Sequence, residues 1–160
     1  MQTDPTRAGF ARLESHAVIA WDFDDTLIGH PASVAMHAYI AANPQQRHLI
    51  VTFRAQDEAR LWQELADATA HLTAQHFHGA RLIDLHLADN VQRLRRLRAR
   101  RLYAGPLAPA ERAYLHWKAM VCAQERASLL IDDRTEDVQP GCDAFGIELL
   151  HPDRLLDHSA

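Results

Sequence analysis

Short, largely apolar runs alternate along the chain with stretches whose apolar residues recur at helical spacing. The runs are "HAVIAW" (16–21), "HLIVTF" (48–53), "ARLIDLHL" (80–87), "ASLLI" (127–131) and "FGIELL" (145–150). Each has strand length, and an apolar run of that length is how a strand buried on both faces reads. Helical patterns fall between them. "ASVAMHAYIAA" (32–42) predicts a helix ended by Asn43-Pro44. Leu61, Leu65, Ala68 and Leu72 share one face over 57–72, and Val91, Leu94 and Leu97 form the inner stripe of 89–103. "GPLAP" (105–109) breaks the chain, and Pro109 suits the start of a helix that runs through Lys118 to Gln124. The expected fold class is α/β. It is a three-layer, Rossmann-like fold with a mostly parallel five-stranded sheet covered on both faces. One domain over 1–160 suits the length, with the ends, 1–14 and 152–160, held least tightly.

Composition narrows the class without choosing a function. An apolar fraction of 48% and a charged fraction of 24% are those of an ordinary globular chain. A net charge of −4 gives no global reason to bind nucleic acid. No apolar run approaches the ~20 residues that span a bilayer, so no membrane partner is expected. "MQTDPTRAGF" lacks the apolar core of a signal peptide. The two cysteines, Cys122 and Cys142, fit no metal-ligand spacing, and nothing in the sequence supports pairing them. A reducing, cytoplasmic setting is therefore expected.

The polar residues that follow the strands carry the chemistry. "VIAWDFDDTL" sets Asp22, Asp24 and Asp25 at the end of the first strand, and "LLIDDRTED" sets Asp132 and Asp133 at the end of the fourth, with Asp137 beyond. Carboxylates this close repel, by about 4 kcal/mol per pair at 4 Å and an effective dielectric of about 20. Turn and cap aspartates are one explanation, since such residues abound after strands. The other is a shared site, because open α/β sheets bind ligands outside the carboxyl ends of their strands. A hard divalent cation would relieve the repulsion, and oxygen-only ligands favour magnesium over zinc. Asp22 and Asp24 are two apart and can face the same way, whereas Asp132 and Asp133 are adjacent and point apart. Asp133, further into the loop, is then the better metal ligand, and Asp132 orients or supports it. Lys118 is the only lysine in the chain, in a sequence that otherwise uses arginine for every basic position. That suggests a place where a compact ammonium fits and a guanidinium does not.

At these residues the sequence resembles the haloacid dehalogenase superfamily, whose commonest activity is phosphate-ester hydrolysis. "DFDDT" (22–26) is similar to its first motif, Thr52 to the second, Lys118 to the third and "LLIDDRTED" (129–137) to the fourth. The resemblance implies that Asp22 is the nucleophile that forms an aspartyl-phosphate. It implies that Asp24 protonates the leaving oxygen and then activates water. Thr52 and Lys118 would hold the transferring oxygens. Mg²⁺ would take oxygens from Asp22, the backbone carbonyl of Asp24, and Asp133, with Asp132 in support. An acid at position 24 speaks against a haloalkanoate dehalogenase, and against a P-type pump, which has threonine there.

Many such proteins carry a cap domain over the site. The span from Thr26 to Thr52 is filled by one helix and one strand, so no large cap fits there. Between Thr52 and Lys118 the unassigned part is 88–112, a small arginine-rich insertion that starts on the active-site side. A capless or minimally capped site favours a large substrate, or a partner subunit as its lid, including a second copy of the chain. Arg93, Arg96 and Arg100 in this insertion form either a groove for phosphates or a solvated helix face. Arg54, two residues after Thr52, is a further candidate to face a phosphate. His76 and His78 share a strand face without a third ligand, Trp21 and Trp62 suit the core, and Trp117 suits either the core or the site's edge. The reading is a Mg²⁺-dependent phosphomonoester hydrolase whose substrate is a phosphorylated small molecule, nucleotide or nucleic-acid end. A binding or regulatory module without turnover, and a phosphotransferase, remain as alternatives.

Overall fold

The computed structural model describes residues 9–54, 63, 77–79 and 109–156. They build a five-stranded sheet from β1 (Val18–Trp21), β2 (Arg47–Thr52), β3 (Phe77–Gly79), β4 (Leu129–Ile131) and β5 (Glu148–Leu150). The order is β3-β2-β1-β4-β5, and every pairing is parallel. Three helices flank it: α1 (Ser33–Ala42), α2 (Pro109–Gln124) and α3 (Thr135–Phe145).

The alternation of side chains along each strand divides the core in two. Ile19, Trp21, Ile50, Leu129, Ile131 and Leu150 face one way, where Met36 and Ile40 of α1 cover them with Phe10, Leu13 and Leu155. Ala20, Leu49, Val51 and Leu130 face the other way, against Ala119 and Cys122 of α2 and Val138 and Cys142 of α3. Helices on both faces explain why the central strands are apolar throughout. The three-layer α/β expectation therefore holds. Both cysteines are buried and free, and among the described residues no helix is long and apolar enough to cross a membrane.

Three details differ from the sequence expectation. The strand described beside β2 is Phe77–Gly79, registered Ile50 to Phe77 and Thr52 to Gly79, ahead of the expected 80–87. At the edge of the described sheet a strand needs backbone pairing on one side only, so the short "FHG" can serve; 80–87 lies outside the described residues. The fifth strand starts at Glu148, not Phe145. Phe145 ends α3, and Gly146, at φ 68° in the left-handed region, caps it while Ile147 N–H closes onto the Cys142 carbonyl at 2.9 Å. Helix α3 was itself hidden, because Pro140-Gly141 reads as a break. Gly141 is there for contact: a Cβ would stand 2.5 Å from the Leu115 carbonyl oxygen and 2.8 Å from His116 Cα on α2. Of the helix expected over 57–72, Gln63 alone is described, and it is helical. The helix over 89–103 lies outside the described residues. The 88–112 insertion does too, except for 109–112, which begin α2.

The strand order matters for function. The chain steps from β1 through β2 to β3 on one side, then returns to β4 and β5 on the other. Its direction reverses between β1 and β4, and there the carboxyl ends of the strands open a crevice.

Candidate functional site

Asp22 leaves β1 with its N–H bonded to the Ile131 carbonyl at 2.8 Å, which locks the exits of β1 and β4 together. The chain then turns through residues 22–29. The Asp22 carbonyl accepts from Leu27 N–H at 3.4 Å and the Phe23 carbonyl from Ile28 N–H at 3.0 Å. Asp25 takes a left-handed φ of 54°, which aspartate tolerates better than most residues. Phe23 and Leu27 are buried in the core and anchor the turn. With Phe23 pointing inward, Asp22 and Asp24 on either side of it both line the crevice.

On β4, Asp132 continues the sheet by donating its N–H to the Leu150 carbonyl at 3.1 Å. It is wholly buried, while Asp133 is half-buried at the crevice. Adjacent residues on extended chain face opposite ways, so one aspartate supports and the other presents. Lys118 reaches in from α2 with 2% of its surface exposed. Its Nζ donates to Asp22 Oδ1 at 2.8 Å and to Asp132 Oδ2 at 2.6 Å. The second Asp132 oxygen, Oδ1, accepts from Arg134 N–H at 2.9 Å. The ammonium also sits 4.8 Å from the Phe53 ring centroid, and Phe53 leans on Trp117 at 5.7 Å. This puts Trp117 at the edge of the site.

One ammonium faces two buried carboxylates, with Asp133 beside them. Burial pushes the Asp22 carboxyl up to about 7; Lys118 opposes the rise and the charge of Asp132 adds to it. Burial also works against the charge on Lys118, but Asp22 and Asp132 outweigh it and hold the ammonium above its ordinary range. Asp133 is raised by burial and by Asp132. Asp22, Asp132 and Asp133 each bring a carboxylate oxygen into one group, all within 4.8 Å of one another. Both oxygens of Asp132 and one of Asp22 accept hydrogen bonds, and each carboxylate keeps lone pairs that a cation can use.

Thr52 ends β2, buried, and lines the same crevice of ≈190 Å³. Arg54 follows two residues on. It forks onto Asp24, Nε to Oδ2 at 2.8 Å and an Nη to Oδ1 at 2.5 Å, with its guanidinium 5.0 Å from the Phe23 ring centroid. Asp22, Asp24, Thr52, Arg54, Lys118 and Asp133 are thus brought to one place, as expected. The Asp24 side chain stands outside the group of three close carboxylates. Asp132 stands with Asp22 and Asp133 in that group, as expected, and its two oxygens also accept from Lys118 and from Arg134 N–H. Asp25, Phe53 and Arg134 also line the crevice, without having been assigned a role there. Their positions next to Asp24, Thr52 and Asp133 were the available signal. His78 lies elsewhere, its Nε2 3.8 Å from Glu125 Oε1. Arg93, Arg96, Arg100, Trp62 and His76 fall outside the described residues.

A scan against protein-family models, a search of curated proteins and a search of solved structures each returned no match.

Proposed function

We propose that the protein is a phosphomonoester hydrolase of the haloacid dehalogenase type, working through an aspartyl-phosphate. The observation that carries this reading is convergence. Asp22 from the end of β1, Thr52 from the end of β2, Lys118 from the middle of α2 and Asp133 from the end of β4 meet in one crevice, at the point where the chain reverses direction. Turn aspartates would not need a buried lysine between them.

In this reading an oxygen of Asp22 bonds to phosphorus as the ester P–O bond breaks, and the leaving oxygen takes a proton from Asp24. A water then gives its proton to Asp24 while its oxygen replaces Asp22 at phosphorus, which releases phosphate and restores both carboxyls. Lys118 holds one Asp22 oxygen at 2.8 Å and so fixes the direction of the carboxylate. Thr52 would hold a transferring oxygen. Magnesium fits the oxygen-only donors, with Asp22, Asp133 and the Asp24 carbonyl as its ligands. Bound there, it would offset the charge of the carboxylates and the phosphoryl group. A nucleotide or a nucleic-acid terminal phosphate is the proposed substrate, on the strength of Arg93, Arg96 and Arg100 in the sequence.

The test is a panel with magnesium: p-nitrophenyl phosphate, mononucleotides, sugar phosphates, and oligonucleotides phosphorylated at either end. Turnover of at least one, with acid-stable phosphate trapped on Asp22, is expected. No turnover of any of them, with magnesium and phosphate still bound, would leave a binding module in place of an enzyme.

A further inference from the structure

The fork between Arg54 and Asp24 occupies both oxygens of the carboxylate. An acid at Asp24 needs one of those oxygens to carry a proton toward a leaving group. The fork favours the charged carboxylate and fixes its direction, so it competes with a proton-carrying Asp24. Lys118, the buried cation of the site, is committed to Asp22 and Asp132. The Arg54 side chain is 22% exposed and that of Asp24 47% exposed, so an incoming anion can reach the pair. The guanidinium rests near the Phe23 ring, which the core holds still. A planar guanidinium also matches two oxygens of a phosphoryl group as well as it matches a carboxylate.

We propose that Arg54 is a substrate-gated latch on Asp24. Without an anion, Arg54 holds the Asp24 carboxylate. A phosphomonoester takes the guanidinium onto its phosphoryl oxygens, and Asp24 turns free toward the leaving oxygen. Only hydrogen bonds change hands in this exchange. Its consequence for turnover rests on the hydrolase reading, but the exchange itself does not. Arg54 is then a positioning residue for Asp24 and a binding residue for the phosphoryl group in turn.

The latch makes Asp24 a competitor of the anion, and that is measurable without turnover. Inorganic phosphate is titrated by calorimetry into four full-length proteins: the parent, Asp24→Asn, Arg54→Gln and the double variant. Asp24→Asn is expected to bind phosphate about 3–10-fold more tightly than the parent, because the amide is a weaker partner for the guanidinium. In the Arg54→Gln background the same change should bring little gain. An equal gain in both backgrounds overturns the latch, since it would reflect only the removal of a negative charge. Absence of phosphate binding in all four overturns it too. If a variant fails to fold, the parent decides: the Arg54 ¹⁵Nε and Asp24 ¹³C carboxyl resonances should both move when phosphate is added, and unmoved resonances reject the exchange. A failed cycle alongside turnover on the substrate panel rejects the latch alone. An intact cycle without turnover rejects the hydrolase alone.

Discussion

Lys118 sits between two largely buried carboxylates, bonded to Asp22 at 2.8 Å and Asp132 at 2.6 Å. Charges in that position are costly to bury singly and tolerable as a set. Lys118→Met is therefore expected to destabilise the fold by about 3–5 kcal/mol, measured by urea denaturation, because two buried carboxylates lose their counter-charge. Lys118→Arg should rescue little of this, since a guanidinium is larger and planar where the site is tight. Stability close to the parent's in Lys118→Met would mean that the ammonium does not neutralise the pair. Asp22→Asn makes a contrasting case. The amide is isosteric but a poor nucleophile, so turnover on the substrate panel should vanish while circular dichroism stays that of the parent. Near-parental turnover would remove Asp22 from the nucleophile's role. At this scale the sequence was informative, since the lone lysine and the paired aspartates stood out by residue type. It was silent on the partners of Asp132 and on the Arg54 fork, because partners at hydrogen-bond distance come from strands and helices far apart in the chain.

Helix α3 illustrates what local pattern conceals. "QPG" within 139–141 reads as a turn, yet the helix runs through it from Thr135 to Phe145. Pro140 forfeits one helical hydrogen bond. Gly141 lets α3 approach α2 so closely that a Cβ would meet the Leu115 carbonyl oxygen at 2.5 Å. Packing on the sheet through Val138 and Cys142 outweighs the poor local propensity. Gly141→Ala should accordingly cost about 1–3 kcal/mol by forcing the two helices apart. Because α2 carries Lys118, the same variant should also weaken phosphate binding. Denaturation and phosphate titration check both, and an unchanged midpoint would show that the contact can relax. The pairing of Phe77–Gly79 with β2 was not legible locally either, because which segment meets a strand is a property of the sheet.

At the scale of the molecule, three close carboxylates meet at the reversal of strand order, and the response to pH and metal should reflect that. The Asp22 carboxyl titrates near 7 in the folded state against 3.8 ordinarily, mainly through burial. Between those values the folded protein holds a proton that the unfolded chain has lost. The associated stability is complete below about pH 4 and is lost as pH rises through 7. Metal-free protein is therefore expected to melt at lower temperature at pH 8 than at pH 5, and Asp22→Asn should flatten that slope. Magnesium should raise the melting temperature at pH 8 and diminish the slope, because it binds the charged form of Asp22. Identical melting with magnesium and with chelator would remove the metal from the proposal. By itself the sequence determined the α/β class, the buried strands and the acids at their ends, because side-chain period and residue type are local properties that chain order preserves. Tertiary structure alone decided the strand order β3-β2-β1-β4-β5, the close seating of α3 on α2, the burial of Lys118 between Asp22 and Asp132, and the fork of Arg54 on Asp24. Those are contacts between segments distant in the chain, set by sheet pairing and the filling of a shared core, and no local pattern encodes which segments meet.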